Sequence, residues 1–499
     1  MNYKSTRDVK VNVPSAYAIS QGLSSDGGLF VPENLPKLSE EKIMSLCDMS
    51  YAERAYEIFR LFLTDFTDDE IKHCVNGAYN DKNFATDNIA EISHLFPGTY
   101  ILELWHGPTC AFKDMALQIL PYLLTTSAKK TIDGKKISIL VATSGDTGKA
   151  ALEGFKDVDG TSIMVFYPED GVSNMQKRQM TTQEGSNVNV CAVVGNFDDC
   201  QSGVKQIFTD KSVIAQLEKA NTVFSSANSI NWGRLAPQII YYVSSYVQLV
   251  KDGELKYGEK LNVVVPTGNF GNILAAYYAK QMGIPIGKLI CASNANNVLT
   301  DFIRTGVYNK NRPFHTTSSP SMDILVSSNL ERLLYDMTGG NDALVASWMK
   351  SLNDAGVYTV NAEVKAKMDE LFYGGYCDEQ GTKAAIKEMF ETENYLIDPH
   401  TAVAVNVYQQ YLQETGDLET PAIIASTASP YKFAASVLEA LTGERGQGSE
   451  FDKVAELSAL TGTQIPQPIA DLQQKPLRFA QVCNIAGMEM AVLGTLGIQ

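Results

Sequence analysis

Five times along this chain, a short β-branched or apolar run meets a loop of Gly, Ser, Thr and Asn, and a helix-patterned segment follows. YILELWHGPT leads into AFKDMALQILPYLL, KISILVATSGDTG into KAALEGF, and VNVCAVVGNFDD into CQSGVKQIF. LNVVVPTGNFGN leads into ILAAYYAKQMG, and PAIIASTASP into YKFAASVLEAL. Strand–loop–helix units in series predict an α/β fold, with a mostly parallel sheet covered by helices on both faces. Ligands of such sheets gather in the crevice beyond the carboxyl ends of the strands. All five polar loops fall at that end, so functional residues are sought there.

The flanks read differently. Residues 1 to about 95 mix strand and helix patterns. SAYAISQGLSSDGGLFVPENLP sets a Gly-Gly turn ahead of Leu29-Phe30-Val31 and prolines after it, and EEKIMSLCDMSYAERAYEIFRLFL has apolar residues at helical spacing. A small α+β N-terminal domain is expected there, with the remaining region at 96–499. Residues from about 300 to 395 read as a helical insertion around a long polar loop, TTSSPSMDILVSSN. GERGQGSEFDK reads as an exposed loop.

Charge and composition narrow the partners. With 41 Lys and Arg against 57 Asp and Glu, the formal net charge is -16. Such a chain repels phosphate backbones and anionic membranes, so neither is an expected partner. No apolar run reaches the ~18 residues of a membrane helix. The opening MNYKSTRDVKV lacks the apolar core of a secretory signal, and the 8 cysteines include no Cys-x-x-Cys pair. Scattered thiols in a long chain fit a cytoplasmic setting. The 5 histidines show no ligand spacing, so no metal site is expected. His106 is kept in view because it lies beside the loop of Lys113.

Four loops carry candidate chemistry. In PTGNFGN, residues 266–272, Gly268 and Gly271 let the backbone approach a ligand, and the helix start adds partial positive charge, so the loop suits a phosphate. The plainer alternative is a tight strand-to-helix turn capped by Asn. TSGDTGKA, residues 143–150, departs from a nucleotide phosphate loop twice: Thr143 stands where the first glycine belongs, and Ala150 where Ser or Thr should hold magnesium. Its hydroxyls and helix-start N–H groups suit either a small anion, such as a substrate carboxylate, or a simple cap. SSANSINWGRL, residues 225–235, gathers Asn228, Ser229, Asn231 and Arg234. The arginine either forks onto a phosphate or stands solvated. Lys113 lies between Ala111-Phe112 and Met115-Ala116-Leu117. It either snorkels to water or is a desolvated amine with a depressed pKa, able to form a Schiff base. Such a lysine with a separate Gly-rich phosphate loop suggests pyridoxal phosphate.

HGPTCAFKD resembles the cofactor-lysine motif of the threonine synthases, members of the fold-type II (tryptophan synthase β-like) pyridoxal phosphate enzymes. QGLSSDGGLFVPENLP, TSGDTGKAA, NSINWGRLAPQ, PTGNFGN, TTSSPSMDILVSSNLER and ASTASPYKF resemble their other motifs, in the family's order along the chain. The resemblance runs from about residue 20 to about residue 440. The length and helical insertion resemble the bacterial and fungal branch, which implies a monomer.

The resemblance implies two open parallel-sheet lobes, the smaller at roughly 135–225. It implies that Lys113 carries pyridoxal 5'-phosphate as a Schiff base. Gly268, Asn269, Phe270, Gly271 and Asn272 match the phosphate cup, and Thr427 matches the residue facing the pyridine nitrogen. Ser144, Asp146 and Thr147 match the loop near the substrate carboxylate, and Asn228, Ser229 and Arg234 are assigned to the substrate phosphate. Ser429 stands where many relatives carry histidine. The activity implied is conversion of O-phospho-L-homoserine and water to L-threonine and phosphate, the last step of threonine biosynthesis. It proceeds by γ-elimination and addition of water at the β carbon, with Lys113 as proton shuttle. A related phospho-lyase releasing 2-oxobutyrate shares the lysine and the cup, so that alternative stays open. A non-catalytic binding protein would be expected to have lost one or the other.

Overall fold

The strands Thr99–Glu103, Leu261–Pro266 and Ala422–Ser426 are buried at every position. A strand with two buried faces belongs in the middle of a sheet covered on both sides. In the computed structural model, which describes residues 1–132, 134–170 and 172–498, the three lie side by side in a six-stranded sheet. Its order is Phe372–Tyr376, Ile286–Ser293, Leu261–Pro266, Ala422–Ser426, Thr99–Glu103, Glu91–Phe96. All neighbours run parallel except the last pair. A second, wholly parallel sheet has the order Gln481–Cys483, Val188–Val193, Thr161–Pro168, Lys136–Ala142, Thr222–Ser226. The two sheets make two lobes, and all five apolar runs noted above form strands within them.

Helix Trp232–Lys251 is buried along most of its 20 residues. Trp232, Tyr241, Tyr242 and Tyr246 bring large aromatic faces to the core, each contributing on the order of 2–3 kcal/mol by burial. Asn231 caps the helix by accepting from Gly233 N–H at 2.9 Å, and its Nδ2 donates to the carbonyls of Ile19 and Ser226 at 3.0 and 3.1 Å. One side chain therefore joins the N-terminal segment, the small-lobe sheet and the central helix. The N-terminal segment adds a three-stranded antiparallel sheet, Val13–Pro14, Asn2–Ser5 and Phe30–Pro32. The buried Arg332 ties it down by donating from Nε to the Phe30 carbonyl at 2.9 Å.

Three short strands cross the expected boundaries. Glu91–Phe96, at the end of the stretch read as N-terminal domain, is the antiparallel edge of the large sheet. Phe372–Tyr376 joins that sheet's other edge from inside the stretch read as a helical insertion. Its Gly374-Gly375 breaks the apolar pattern that marks a strand, yet the sheet needs the glycine: a Cβ on Gly375 would lie 2.6 Å from Val407 Cγ1. Gln481–Cys483 returns from the far end of the chain to edge the small sheet, so that lobe is not one continuous segment. Among the described residues, no helix is long and apolar enough to cross a membrane.

Candidate active site

The loop that carries Lys113 is built around a buried carboxylate. Asp114 accepts from the Thr109 amide at 2.8 Å and the Thr109 hydroxyl at 2.7 Å, which folds the loop back on itself. Burial pushes the Asp114 carboxyl up to about 6, against the pull of the Thr109 bonds. Gly107 is required here, since a Cβ would lie 2.5 Å from Asp114 Cβ. The loop is then stitched to the end of strand Ala422–Ser426. Ala111 pairs with Ala428 in an isolated antiparallel bridge, Phe112 N–H donates to the Thr427 carbonyl at 2.8 Å, and Ser429 N–H donates to the Cys110 carbonyl at 3.1 Å.

Lys113 is half-buried, with its Nζ 4.2 Å from the centre of the Phe112 ring. Burial brings its pKa down to about 7; Arg234 pushes the same way, and Asp146 opposes them. The exposure it keeps is to a cavity that residues 268–272, Ser229, Arg234, His400 and Thr427 also line.

The 268–272 loop is shaped for an anion. Phe270 takes a left-handed φ of 63°, a conformation that costs a side-chain-bearing residue about 1–2 kcal/mol. Its ring packs 5.9 Å from that of Phe372, and Asn329 holds the preceding Asn269 carbonyl through its amide at 3.1 Å and Nδ2 at 3.0 Å. Helix Gly271–Met282 starts here with no side-chain cap among the described residues, so its first-turn N–H groups are left for a ligand. Two further buried donors, Asn272 Nδ2 and Arg234 Nε, have no partner among the described residues. Arg234 is 2 % exposed, and no described carboxylate pairs with it. Its Nη1 donates to the Ala227 carbonyl, and burial lowers its pKa to about 10. A buried cation without a counter-ion calls for an anionic ligand. Free N–H groups, an orphaned amide and an unpaired guanidinium around one amine fit pyridoxal phosphate and a second, anionic molecule beside it.

The structure thus gathers Lys113, residues 268–272, Thr427, Ser229 and Arg234 on one cavity. Asn228 is not among its lining residues; its carbonyl accepts from Asn231 N–H at 3.1 Å within the turn. Ser144 and Thr147 are half-buried and also outside the lining. Asp146 on the same loop reaches the cavity through Ser321, whose hydroxyl lies 3.4 Å from Oδ2. Burial would raise the Asp146 carboxyl, but the Lys432 ammonium 2.6 Å away and Gln176 bring it down to about 2. Lys149 turns to Glu153 at 2.8 Å and to Gln183, not to a phosphate position.

His106 pairs with Glu103 at 2.6 Å and stacks on Trp105 at 4.2 Å, outside the cavity lining. The histidine on the cavity is His400. Its Nε2 accepts from Ser321 N–H at 3.2 Å, and its Nδ1 lies 2.8 Å from Asp398 Oδ1. The available signal was local: Asp398 caps helix Pro399–Thr415, and a histidine two residues into that cap is held by it.

Three family profiles match the chain: "Threonine synthase N terminus" over 2–79, "Pyridoxal-phosphate dependent enzyme" over 94–427, and "Threonine synthase, C-terminal" over 401–492. The chain is 42% identical over 434 residues to the human protein "Threonine synthase-like 1", covering 85% of this chain and 57% of that one. It therefore spans little more than half of that relative's length. It is 38% identical over 445 residues to the threonine synthase of Pseudomonas aeruginosa, covering 89% of this chain and 91% of that one. The crystal structure of threonine synthase from Brucella melitensis with PLP bound superposes with a TM-score of 0.87 at 34% identity, over 99% of both chains.

Proposed function

This chain belongs to the threonine synthase family of pyridoxal phosphate-dependent enzymes, and from that premise we propose that it converts O-phospho-L-homoserine and water to L-threonine and phosphate. The observation that carries the reading is the cavity itself. An amine brought to a pKa of about 7 faces both an anion cup and a buried arginine with no carboxylate partner among the described residues.

The cofactor of the family is pyridoxal phosphate; residues 268–272 would hold its phosphate, Thr427 its pyridine nitrogen and Lys113 its aldehyde carbon. When bound, it supplies a conjugated ring able to take up the electron pair left by a departing proton. Lys113, with its pKa brought down to about 7, can take the proton from the substrate α carbon and pass it on before taking one from the β carbon. It can then deliver one proton to the γ carbon and one back to the α carbon, while water supplies the β hydroxyl and the proton taken up by the departing phosphate. Arg234 and Ser229 orient the substrate phosphate, and the guanidinium stabilises the charge that develops as phosphate leaves. Ser144, Thr147 and the start of helix Asp146–Phe155 take the substrate carboxylate. Asn228 contributes by shaping the turn ahead of Arg234. A cytoplasmic monomer without nucleic-acid or membrane partners completes the proposal.

A second reading has a specific observation behind it: identity to threonine synthase-like 1 is 42%, against 38% for the bacterial threonine synthase. On that reading, one water is consumed, phosphate and ammonia leave, and 2-oxobutyrate is the product. Incubating the cofactor-loaded protein with O-phospho-L-homoserine and identifying the products tests both. Threonine with stoichiometric phosphate supports the first reading, 2-oxobutyrate with phosphate replaces it by the second, and release of neither refutes both.

A further inference from the structure

Lys432 is 1 % exposed and has no part in the chemistry described so far. It lies in the turn Pro430–Phe433, which follows the large-sheet strand Ala422–Ser426. Its Nζ is 2.6 Å from Asp146 Oδ1 and donates to the Thr109 carbonyl at 2.9 Å. Asp146 opens helix Asp146–Phe155 of the small lobe, and Thr109 belongs to the loop that carries Lys113. One ammonium therefore touches both lobes and the lysine loop. Neighbouring bonds brace the same carboxylate and the same carbonyl. Gln176 Nε2 of the small lobe donates to Asp146 Oδ1 at 3.0 Å, Ser321 of the large lobe reaches Oδ2 at 3.4 Å, and Gln179 Nε2 donates to the Thr109 carbonyl at 3.3 Å.

A buried ion pair is weak evidence of stabilisation, because well-packed apolar side chains of similar volume often serve as well. The cavity supplies another reason for this pair. The substrate proposed above carries a carboxylate and a phosphate, and an uncompensated Asp146 would repel both. With Lys432 in place that charge is cancelled, and the positive end of the helix is left to act on the ligand. The pair also acts on Lys113 in opposite senses, Asp146 raising its pKa and Lys432 lowering it.

We propose that Lys432 is a positioning residue: it latches the small lobe to the Lys113 loop and neutralises Asp146 so that an anionic substrate can dock beside it. This rests on the function proposed above. The test compares Lys432→Met, Asp146→Asn and the double variant in the cofactor-loaded protein. It reads KM and kcat for O-phospho-L-homoserine, and amide hydrogen exchange of peptides spanning 107–115 and 143–150. Lys432→Met is expected to raise KM about tenfold or more, since a buried unpaired carboxylate then faces an anion. Asp146→Asn is expected to hold or lower KM, since it leaves an ammonium instead. The double variant is expected to return to within about threefold of the unsubstituted chain. A merely structural contact would move KM in the same direction in both single variants; that result, or a rise in Lys432→Met of less than about threefold, overturns the neutralising role. Faster exchange in both segments of each single variant supports the latch, and unchanged exchange overturns it. Should Lys432→Met fail to fold, Lys432→Arg keeps the charge: a KM within about threefold supports the proposal, and a rise of about tenfold overturns it. An unsubstituted chain that turns over no phosphohomoserine refutes the function proposed above, while the exchange measurement still decides the latch.

Discussion

Phe112 donates its backbone N–H to the carbonyl of Thr427 at 2.8 Å. The residue after Phe112 is the cavity lysine, and Thr427 lines the same cavity from the end of a different strand. Backbone bonds, not side-chain contacts, set the distance between the residue assigned to the cofactor's aldehyde and the one assigned to its ring nitrogen. The frame should therefore survive loss of the lysine side chain.

Lys113→Ala is accordingly expected to fold, with a far-ultraviolet spectrum and melting temperature close to those of the unsubstituted chain. Turnover should drop by at least about 10³-fold, because covalent anchoring and proton transfer are lost together. Borohydride reduction in the presence of pyridoxal phosphate should add one phosphopyridoxyl group, the cofactor less water plus two hydrogens, to the Lys113 peptide of the unsubstituted protein. An adduct on another lysine, or turnover retained by the variant, would remove Lys113 from the mechanism.

The depressed pKa of Lys113 has a sign that can be checked without substrate. Its folded value, about 7, lies below the ordinary 10.5. Between those limits the unfolded chain binds a proton that the folded chain does not, so this group makes the apoprotein more stable as pH rises from about 7 to 10.5. Lys113→Met should flatten that part of the stability profile. Arg234→Met removes a neighbouring positive charge, so the amine should titrate higher, read as an upward move in the pH midpoint of Lys113 labelling by an acylating reagent. A midpoint that stays put or falls would show that Arg234 does not act on this amine.

How far the site could be read from the chain depended on whether its signal was local. Lys113 sits among apolar neighbours, and the glycines of PTGNFGN are spaced for a close approach; both are properties of a few consecutive residues. The strands Thr161–Pro168 and Ile286–Ser293 are as apolar as those that were found. The helices that follow them, Asn174–Thr181 and Val298–Thr305, are only 8 residues each, too short to display a helical period clearly. Asp398 marks His400 as a held histidine, but its place on the cavity, like that of Lys432, was not legible because Ser321 and Asp146 come from distant segments. Ser321 N–H meets His400, and Asp146 meets Lys432 across the cleft; no spacing along the chain announces either contact. Nor can a sequence show that Arg234 has no carboxylate partner among the described residues, which is the property that suits it to an anion.

Glu153 gives a prediction on stability that the catalytic cavity should not feel. Burial would raise its carboxyl, but Lys149 at 2.8 Å and Gln183 at 3.0 Å bring it down to about 2. The folded value lies below the ordinary 4.5, so the stabilisation is complete above about 4.5 and is lost as pH falls through 2. Glu153→Gln should therefore flatten the acid limb of the unfolding profile between those values, while KM stays within about twofold. Urea unfolding at a series of pH values reads the first effect. An unchanged acid limb would mean that the pair contributes nothing to the folded state.

Gly268 offers the sharpest test of the cup, because the clash it avoids is with backbone. A Cβ there would lie 2.5 Å from the Ser321 carbonyl oxygen and 3.4 Å from Met322 Cα. The 320–322 turn cannot easily retreat, since Ser321 N–H is held by His400 Nε2 at 3.2 Å and its hydroxyl approaches Asp146. The cup has to move instead, against the bond from Ser327 Oγ to the Gly268 carbonyl at 2.7 Å. A displacement of about 1 Å in a positioning element commonly costs on the order of 10²-fold, so Gly268→Ala should weaken pyridoxal phosphate binding by about that factor in a fluorescence titration. Gly271→Ala is the control: its added Cβ would meet only the side chains of Asn329 and Gln238, at 3.4 and 3.5 Å, and it has no left-handed φ to strain. Its affinity should fall far less. If the two alanines weaken binding equally, the loss comes from the helix start in general; if Gly268→Ala binds as tightly as the unsubstituted chain, residues 268–272 do not hold the cofactor phosphate.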